Sequence, residues 1–181
     1  PAITGFTGGR PKVQPVVRLF SCLVPKSQLA VSIDMGAQQL EVPTLAGVPF
    51  DASALPVVDG PLPAADAFAR GARTVPLVQL AWGRSGDKGD SANIGLIARK
   101  PEYLPFIRAA ITEQAVARWF AHLVRGEVRR YDLPGTHALN FTLQQALGGG
   151  GIASVRMDPQ GKAYAQMLLD HPVEIPAELA L

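Results

Sequence analysis

The stretch LVQLAWGRSGDKGDSANIGLIAR, residues 77–99, sets two short apolar runs, Leu77 to Trp82 and Ile94 to Arg99, on either side of a mostly polar, glycine-rich segment from Gly83 to Asn93. Apolar runs of this length bounded by turn residues read as strands. Two strands joined by a polar loop are therefore expected. Downstream, Thr112 is placed to N-cap a helix to Arg125, with Val116, Trp119, Phe120, Leu123 and Val124 at i, i+3, i+4, i+7 and i+8 and Gly126 as its C′ glycine. Trp119 and Phe120 are expected to be buried. A strand from Val128 to Leu133, a helix from Ala138 to Leu147, a strand from Ile152 to Met157 and a last helix follow. Asp158 would cap that last helix and Pro159 take its first position, with Ala163, Tyr164, Met167 and Leu168 inward. Helices on one face of a small, mostly antiparallel sheet bury these faces most economically, so the fold class is α/β, an α+β sandwich.

Upstream, residues 1–48 read as a β-rich segment. Pro15 to Val24 is an apolar run with β-branched residues, and Leu29 to Met35 alternates before a Gly36 turn into Gln38 to Val42. Residues 49–74 carry Pro49, Pro56, Pro61 and Pro63 with weak periodicity and read as an extended linker. The domains expected are thus 1–48, 49–74 and 75–175. The segment from Thr4 to Val42 is too short to cover both faces of a sheet, so its strands are expected to pair with another chain.

The composition excludes several classes. Of 181 residues, 17 Lys+Arg face 15 Asp+Glu, a net charge of +2 that argues against an electrostatically driven nucleic-acid binder. Arg118, Arg125, Arg129 and Arg130 read as a solvated face rather than a nucleic-acid patch. Hydrophobic residues at 48% argue against disorder and for a packed core, and 18 Gly with 16 Pro, roughly a fifth of the chain, argue against an all-helical bundle. The single Cys22 allows no internal disulfide, and no Cys/His cluster has metal-ligand spacing. A cytoplasmic protein is expected, with no membrane span and no signal peptide.

Chemistry is densest between Gly83 and Asn93. Glycines there allow backbone N–H groups to converge on an anion beside Arg84 and Lys88. Ligand-binding candidates are Arg84, Ser85, Gly86, Lys88, Gly89 and Asn93, and the candidates for acid–base or electrostatic chemistry are Asp87 and Lys88. Lys88 precedes Gly89, which is not Walker A order, and Asp87 stands where a nucleophile elbow needs glycine. The alternative is a structural loop in which Asp87 and Asp90 bond the backbone. The run Gly148, Gly149, Gly150, Gly151 with Ala153 satisfies Gly-x-Gly-x-x-Ala in form, but it follows a helix where a dinucleotide fingerprint follows a strand. Such a run requires either positive φ or close approach by a backbone or ligand, and a helix C-cap is the plainer reading. With Asn140 it is expected to meet the Arg84–Asn93 loop and form one anion site. His122, His137 and His171 have no visible catalytic partner. Pro1 as the base of an N-terminal-proline tautomerase conflicts with Gly5, Gly8, Gly9 and Pro11, which interrupt the helix that those enzymes place after the first strand.

Three sets of residues, in one order, resemble the small C-terminal domain of the acyclic terpene utilisation A (AtuA-like) proteins. They are Arg84-Ser85-Gly86-Asp87-Lys88-Gly89 running on to Asn93-Ile94-Gly95, then Leu139-Asn140-Phe141 with Gly148 to Gly151, then Asp158-x-x-Gly161-Lys162. The likeness covers about Val75 to Asp170 and implies a ferredoxin-like fold. A weaker likeness from Thr4 to Pro25, around Gly8-Gly9-Arg10-Pro11 and Val16 to Phe20, suggests the closing strands of the family's larger N-terminal domain. Asp90 departs from the asparagine expected in many relatives. The resemblance implies a part in breaking down acyclic terpenoids such as citronellol or geraniol through coenzyme A thioesters, with such a thioester as substrate and no tightly bound cofactor. The partners implied are a large N-terminal AtuA-like domain or subunit and further copies of the chain. The competing reading is a non-catalytic docking or oligomerisation module, which the low charge fraction of 18% favours.

Overall fold

The computed structural model describes residues 13, 15, 17, 20, 22–45, 47–54, 60–64 and 66–181. The chain divides into two units, one of residues 19–57 and one that includes residues 58–181. In the first, strands β1 (Val31–Asp34) and β2 (Gln39–Val42) pair antiparallel, Val31 opposite Val42. Gly36, at φ +82°, makes the turn, and Asp34 Oδ1 accepts its N–H. This is the hairpin that the alternation around Gly36 predicts. The apolar run 15–24 lies partly outside the described residues, and its described members are in no strand. Pro1 and Gly8-Gly9-Arg10-Pro11 lie outside the described residues.

The second unit contains β3 (Ala72–Pro76), β4 (Ala81–Lys88), β5 (Ser91–Ala98), α1 (Leu104–Ala110), α2 (Glu113–Trp119), β6 (Val128–Leu133), β7 (Ala138–Leu143), α3 (Tyr164–Leu169) and β8 (Pro172–Pro176). Four strands form one sheet in the order β4-β5-β7-β6, with every neighbouring pair antiparallel. β5 and β6 both run against β7, so they are parallel to each other and joined through α1 and α2. That split crossover, with its antiparallel four-stranded order, is that of a ferredoxin-like α+β sheet, here begun one strand earlier so that a hairpin stands on either side of the crossover. Alternation builds the core: Ala92, Ile94 and Leu96 on β5 and Leu139, Phe141 and Leu143 on β7 are buried with Val116, Phe120 and Leu168. A two-stranded sheet of β3 and β8, Ala72 opposite Pro176, accompanies the main sheet.

Several sequence expectations are corrected. Residues 138–147 begin as strand β7, not a helix, and Leu77–Gln79 is a single 3-10 turn before β4 rather than part of a strand. The supposed loop Gly83–Asn93 is most of the β4–β5 hairpin, with Lys88 paired to Ser91 across the Gly89-Asp90 turn. The supposed strand 152–157 follows a 3-10 turn, Gly151–Ala153, and is irregular: Arg156 is held inward by the Ala146 and Leu123 carbonyls, while Val155 and Met157 project outward. The helix capped by Thr112, whose hydroxyl oxygen accepts the Ala115 N–H, ends at Trp119 and continues only as turns. Phe120 is fully buried, but Trp119 is 36% exposed, its indole N–H donating to the Met167 carbonyl. Gly126 is no C′ glycine, since its φ is not positive; it packs where a Cβ would meet Gln144 at 2.7 Å. Asp158 caps from a distance, its two carboxylate oxygens accepting the N–H groups of Lys162 and Ala163 just before α3.

Candidate functional site

Because a strand alternates its side chains, β4 divides the polar motif between two faces. Ser85 and Asp87 lie on the helix side with Ile94 and Ala92 as register partners. Arg84, Gly86 and Lys88 lie on the opposite, open face. Register carries Gly95 and Asn140 alongside Arg84 and puts Asn93 opposite Gly86. A groove of about 380 Å³ runs over this face, its walls formed by Trp82, Ile97 and Leu133 and its polar end by Arg84 and Asn140. Gly95 is its floor: a Cβ there would stand 3.8 Å from Arg84 Cγ and 4.0 Å from Asn140 Oδ1. Arg99 lies 4.9 Å over the Trp82 ring, a cation–π contact that steadies one wall. Asn93 donates its side-chain N–H to Asn140 Oδ1 at 3.2 Å; it is nine-tenths buried, and its own Oδ1 has no hydrogen-bond partner among the described residues.

The hairpin tip meets the glycine run, so the two segments that the sequence singles out are neighbours. Asp90 joins them. Its Oδ1 accepts the N–H groups of Leu147 at 3.2 Å and Gly149 at 2.7 Å, and its carbonyl accepts from Ala146 at 2.9 Å. Gly148, Gly149, Gly150 and Gly151 all have positive φ. A Cβ on Gly150 would overlap the Gly89 carbonyl oxygen, and one on Gly148 would stand 3.0 Å from Arg156 Nε. Both requirements inferred for such a run, left-handed backbone and close approach, are thus met by the protein's own backbone and side chains. An asparagine offers the same oxygen as Asp90, so Asp90→Asn is expected to be nearly neutral. Asp90→Ala should cost about 1–3 kcal/mol by removing the charged acceptor of the Gly149 N–H, while the Leu147 N–H keeps its bond to the Asp90 carbonyl at 3.1 Å. Urea unfolding of both variants checks this; equal midpoints would refute it.

The remaining motif residues are tied to the frame. Ser85 Oγ accepts the Ala165 N–H at 2.9 Å and donates to the Lys162 carbonyl at 3.2 Å. Lys88 Nζ turns back to the Asp87 carbonyl at 2.8 Å, whereas Asp87 Oδ1 faces Lys162 Nζ at 3.8 Å. Arg130, within the supposed basic cluster, points inward and donates to the Arg108 and Ile111 carbonyls at the end of α1, while Arg129 pairs with Glu127 at 2.9 Å. Their alternation along β6 divides the cluster. His137 sits at φ +50° in the β6–β7 turn, and the His171 ring packs 4.7 Å from Trp119.

Trp82 and Leu133 escape a motif-based reading, although strand alternation carries their signal, and Lys162 stands in the Asp158-x-x-Gly161-Lys162 set with no site role assigned to it there. A second cleft, of about 520 Å³, lies between α3 and residues 155–158 and is lined by His122, Arg156, Tyr164 and Met167 among others. Burial raises the Tyr164 phenol above its ordinary range, with Arg156 opposing that shift, and the hydroxyl donates to the Ala146 carbonyl at 2.6 Å. Among the described residues no group of His, Cys, Asp and Glu is arranged to hold a metal ion, and no helix is long and apolar enough to cross a membrane.

Sheet order, split crossover and helices packed on one face define a ferredoxin-like α+β domain. Residues 75–174 match the family model described as the AtuA ferredoxin-like domain, and the chain belongs to that family. Comparison with curated proteins and with solved structures gives no significant match.

Proposed function

We propose that this chain is part of an AtuA-like protein of acyclic terpenoid breakdown and that the open face of its sheet binds an acyl thioester of coenzyme A. The observation that carries this reading is the groove itself, in which Trp82, Ile97 and Leu133 offer apolar walls and Arg84 and Asn140 a polar end. A branched hydrocarbon chain with a polar, anionic head has that same division. Small-molecule sites combine apolar lining with a few placed polar groups in this way. The resemblance to proteins of acyclic terpene utilisation supplies the substrate class, of the citronellol or geraniol type. The lone Cys22 suits a reducing cytoplasm.

Titration calorimetry with citronellyl-CoA tests the reading. Arg84→Ala is expected to weaken binding about tenfold or more, the usual effect of losing a charge-assisted hydrogen bond. Gly95→Leu should abolish binding by filling the groove. Equal affinity in wild type and both folded variants would refute the assignment.

A second reading is favoured by the exposure of the same face, where Trp82 is 52% and Ile97 50% accessible. Those side chains would dock the larger N-terminal AtuA-like domain or subunit. Gly95→Leu would then leave thioester binding unaffected and weaken association with that domain, measured by light scattering on the mixture.

A further inference from the structure

Residues from strand β4 and from the turn before α3 converge on Lys162. Its N–H donates to Asp158 Oδ1 at 2.9 Å and its carbonyl accepts from Ser85 Oγ at 3.2 Å. The preceding Gly161, at φ +60°, lies where a Cβ would stand 3.2 Å from Leu147 Cδ2 and 3.4 Å from the Ala92 Cβ. The backbone of this one residue is therefore fixed on three sides, while its side chain is 62% exposed and carries one long ion pair, to Asp87 at 3.8 Å.

The side chain goes to the open face. Gly86 is on that face, because its register partner is Asn93, and β4 is the edge strand. A Cβ on Gly86 would stand 3.5 Å from Lys162 Nζ and 3.9 Å from Asn93 Oδ1. Lys162 thus starts beside α3 under the sheet and brings its ammonium group around the edge strand to Gly86, the register partner of Asn93, whose buried side-chain oxygen has no hydrogen-bond partner among the described residues. Lys88, the cation that the motif first suggests, turns to its own backbone.

We propose that Lys162 is a second cation of the open-face site, beside Arg84, and that it donates to the thioester carbonyl oxygen of the ligand. The charges around it select that group. Asp87 already balances the ammonium charge, and Asn93 Oδ1 is a further acceptor, so a phosphate would meet negative charge and an oxygen lone pair. A neutral carbonyl oxygen accepts from Lys162 Nζ without the repulsion between like charges, and no bond is made or broken. The inference rests on the open-face reading and adds to it the residue that fixes the thioester end.

The test titrates the full chain with citronellyl-CoA, S-citronellyl-pantetheine, which has the thioester but no nucleotide, and free coenzyme A. The proteins are wild type, Lys162→Met, Lys88→Met and Gly86→Val, each with its melting temperature measured. Lys162→Met is expected to weaken both thioesters about tenfold or more and to leave free coenzyme A and the melting temperature unchanged. Gly86→Val, which keeps the lysine but fills the space beside it, should lose thioester affinity similarly, and Lys88→Met should not. Wild-type affinity for S-citronellyl-pantetheine in folded Lys162→Met overturns this inference alone, as does a loss that appears equally with free coenzyme A. A wild-type protein that binds neither thioester overturns the inference together with the open-face reading.

Discussion

Gly150→Ala is expected to destabilise the protein by about 3 kcal/mol or more, which lowers the melting temperature by roughly 10 °C for a chain of this size. Two effects add. Gly150 has φ +69° and ψ 157°, a region that is essentially glycine's alone, where a side chain costs about 1–3 kcal/mol. The new methyl group would also overlap the Gly89 carbonyl oxygen, a backbone atom at the tip of the β4–β5 hairpin that has no rotamer to change. The tip must move, and Asp90 moves with it, away from the N–H groups of Leu147 and Gly149. Hydrogen exchange should therefore quicken at those two amides before it does in β5. A melting temperature within about 2 °C of wild type, well under the expected shift, would show that the glycine run is not pressed against the hairpin.

Phe120→Ala should cost about 3–5 kcal/mol, the usual range for a large aromatic side chain removed from a packed interior. Phe120 is fully buried, and its ring stacks on Tyr164 with centroids 5.4 Å apart and planes 16° from parallel, which ties the end of α2 to α3. The open face lies on the other side of the sheet, so ligand affinity should be unchanged in the fraction that folds. Trp119→Ala, one residue away, should have a much smaller effect because that ring is partly in solvent. Thermal unfolding of the two variants decides; equal losses would refute the assignment of the core face.

What the sequence tells and hides follows from how its periods overlap. Positions 139 and 143 are four apart, a spacing that satisfies a helix and a strand alike, and Leu147 extends the helical version. Phe141 decides between them, because it would face away from Leu139 on a helix but shares its buried side on strand β7. Residues 83–93 read as a loop since they lack apolar alternation. They are nonetheless hairpin, because one face of that hairpin is uncovered and polar while the other meets α3 through Ser85 and Gly83 rather than through large apolar side chains. The run Ile152 to Met157 has strand composition without strand structure, its backbone directed by Arg156. The meeting of Asn140 and the glycine run with the Arg84–Asn93 segment was legible from motif content. The part played by Lys162 was not, because a lysine that wraps an edge strand leaves no periodic trace.

The pairing of β3 with β8 bears on how such a module joins other protein. Ala72 stands opposite Pro176, and the Ala177 N–H donates to the Gly71 carbonyl at 3.1 Å, so the chain enters and leaves the two-stranded sheet through adjacent backbones. A domain closed at its neck in this way can be inserted into a surface loop of a host, or reconnected with new termini, without pulling its strands apart. Joining residues 71 and 177 by a short linker and opening the chain at the β6–β7 turn, where Gly135 and His137 already take positive φ, should give a circular permutant with the same sheet.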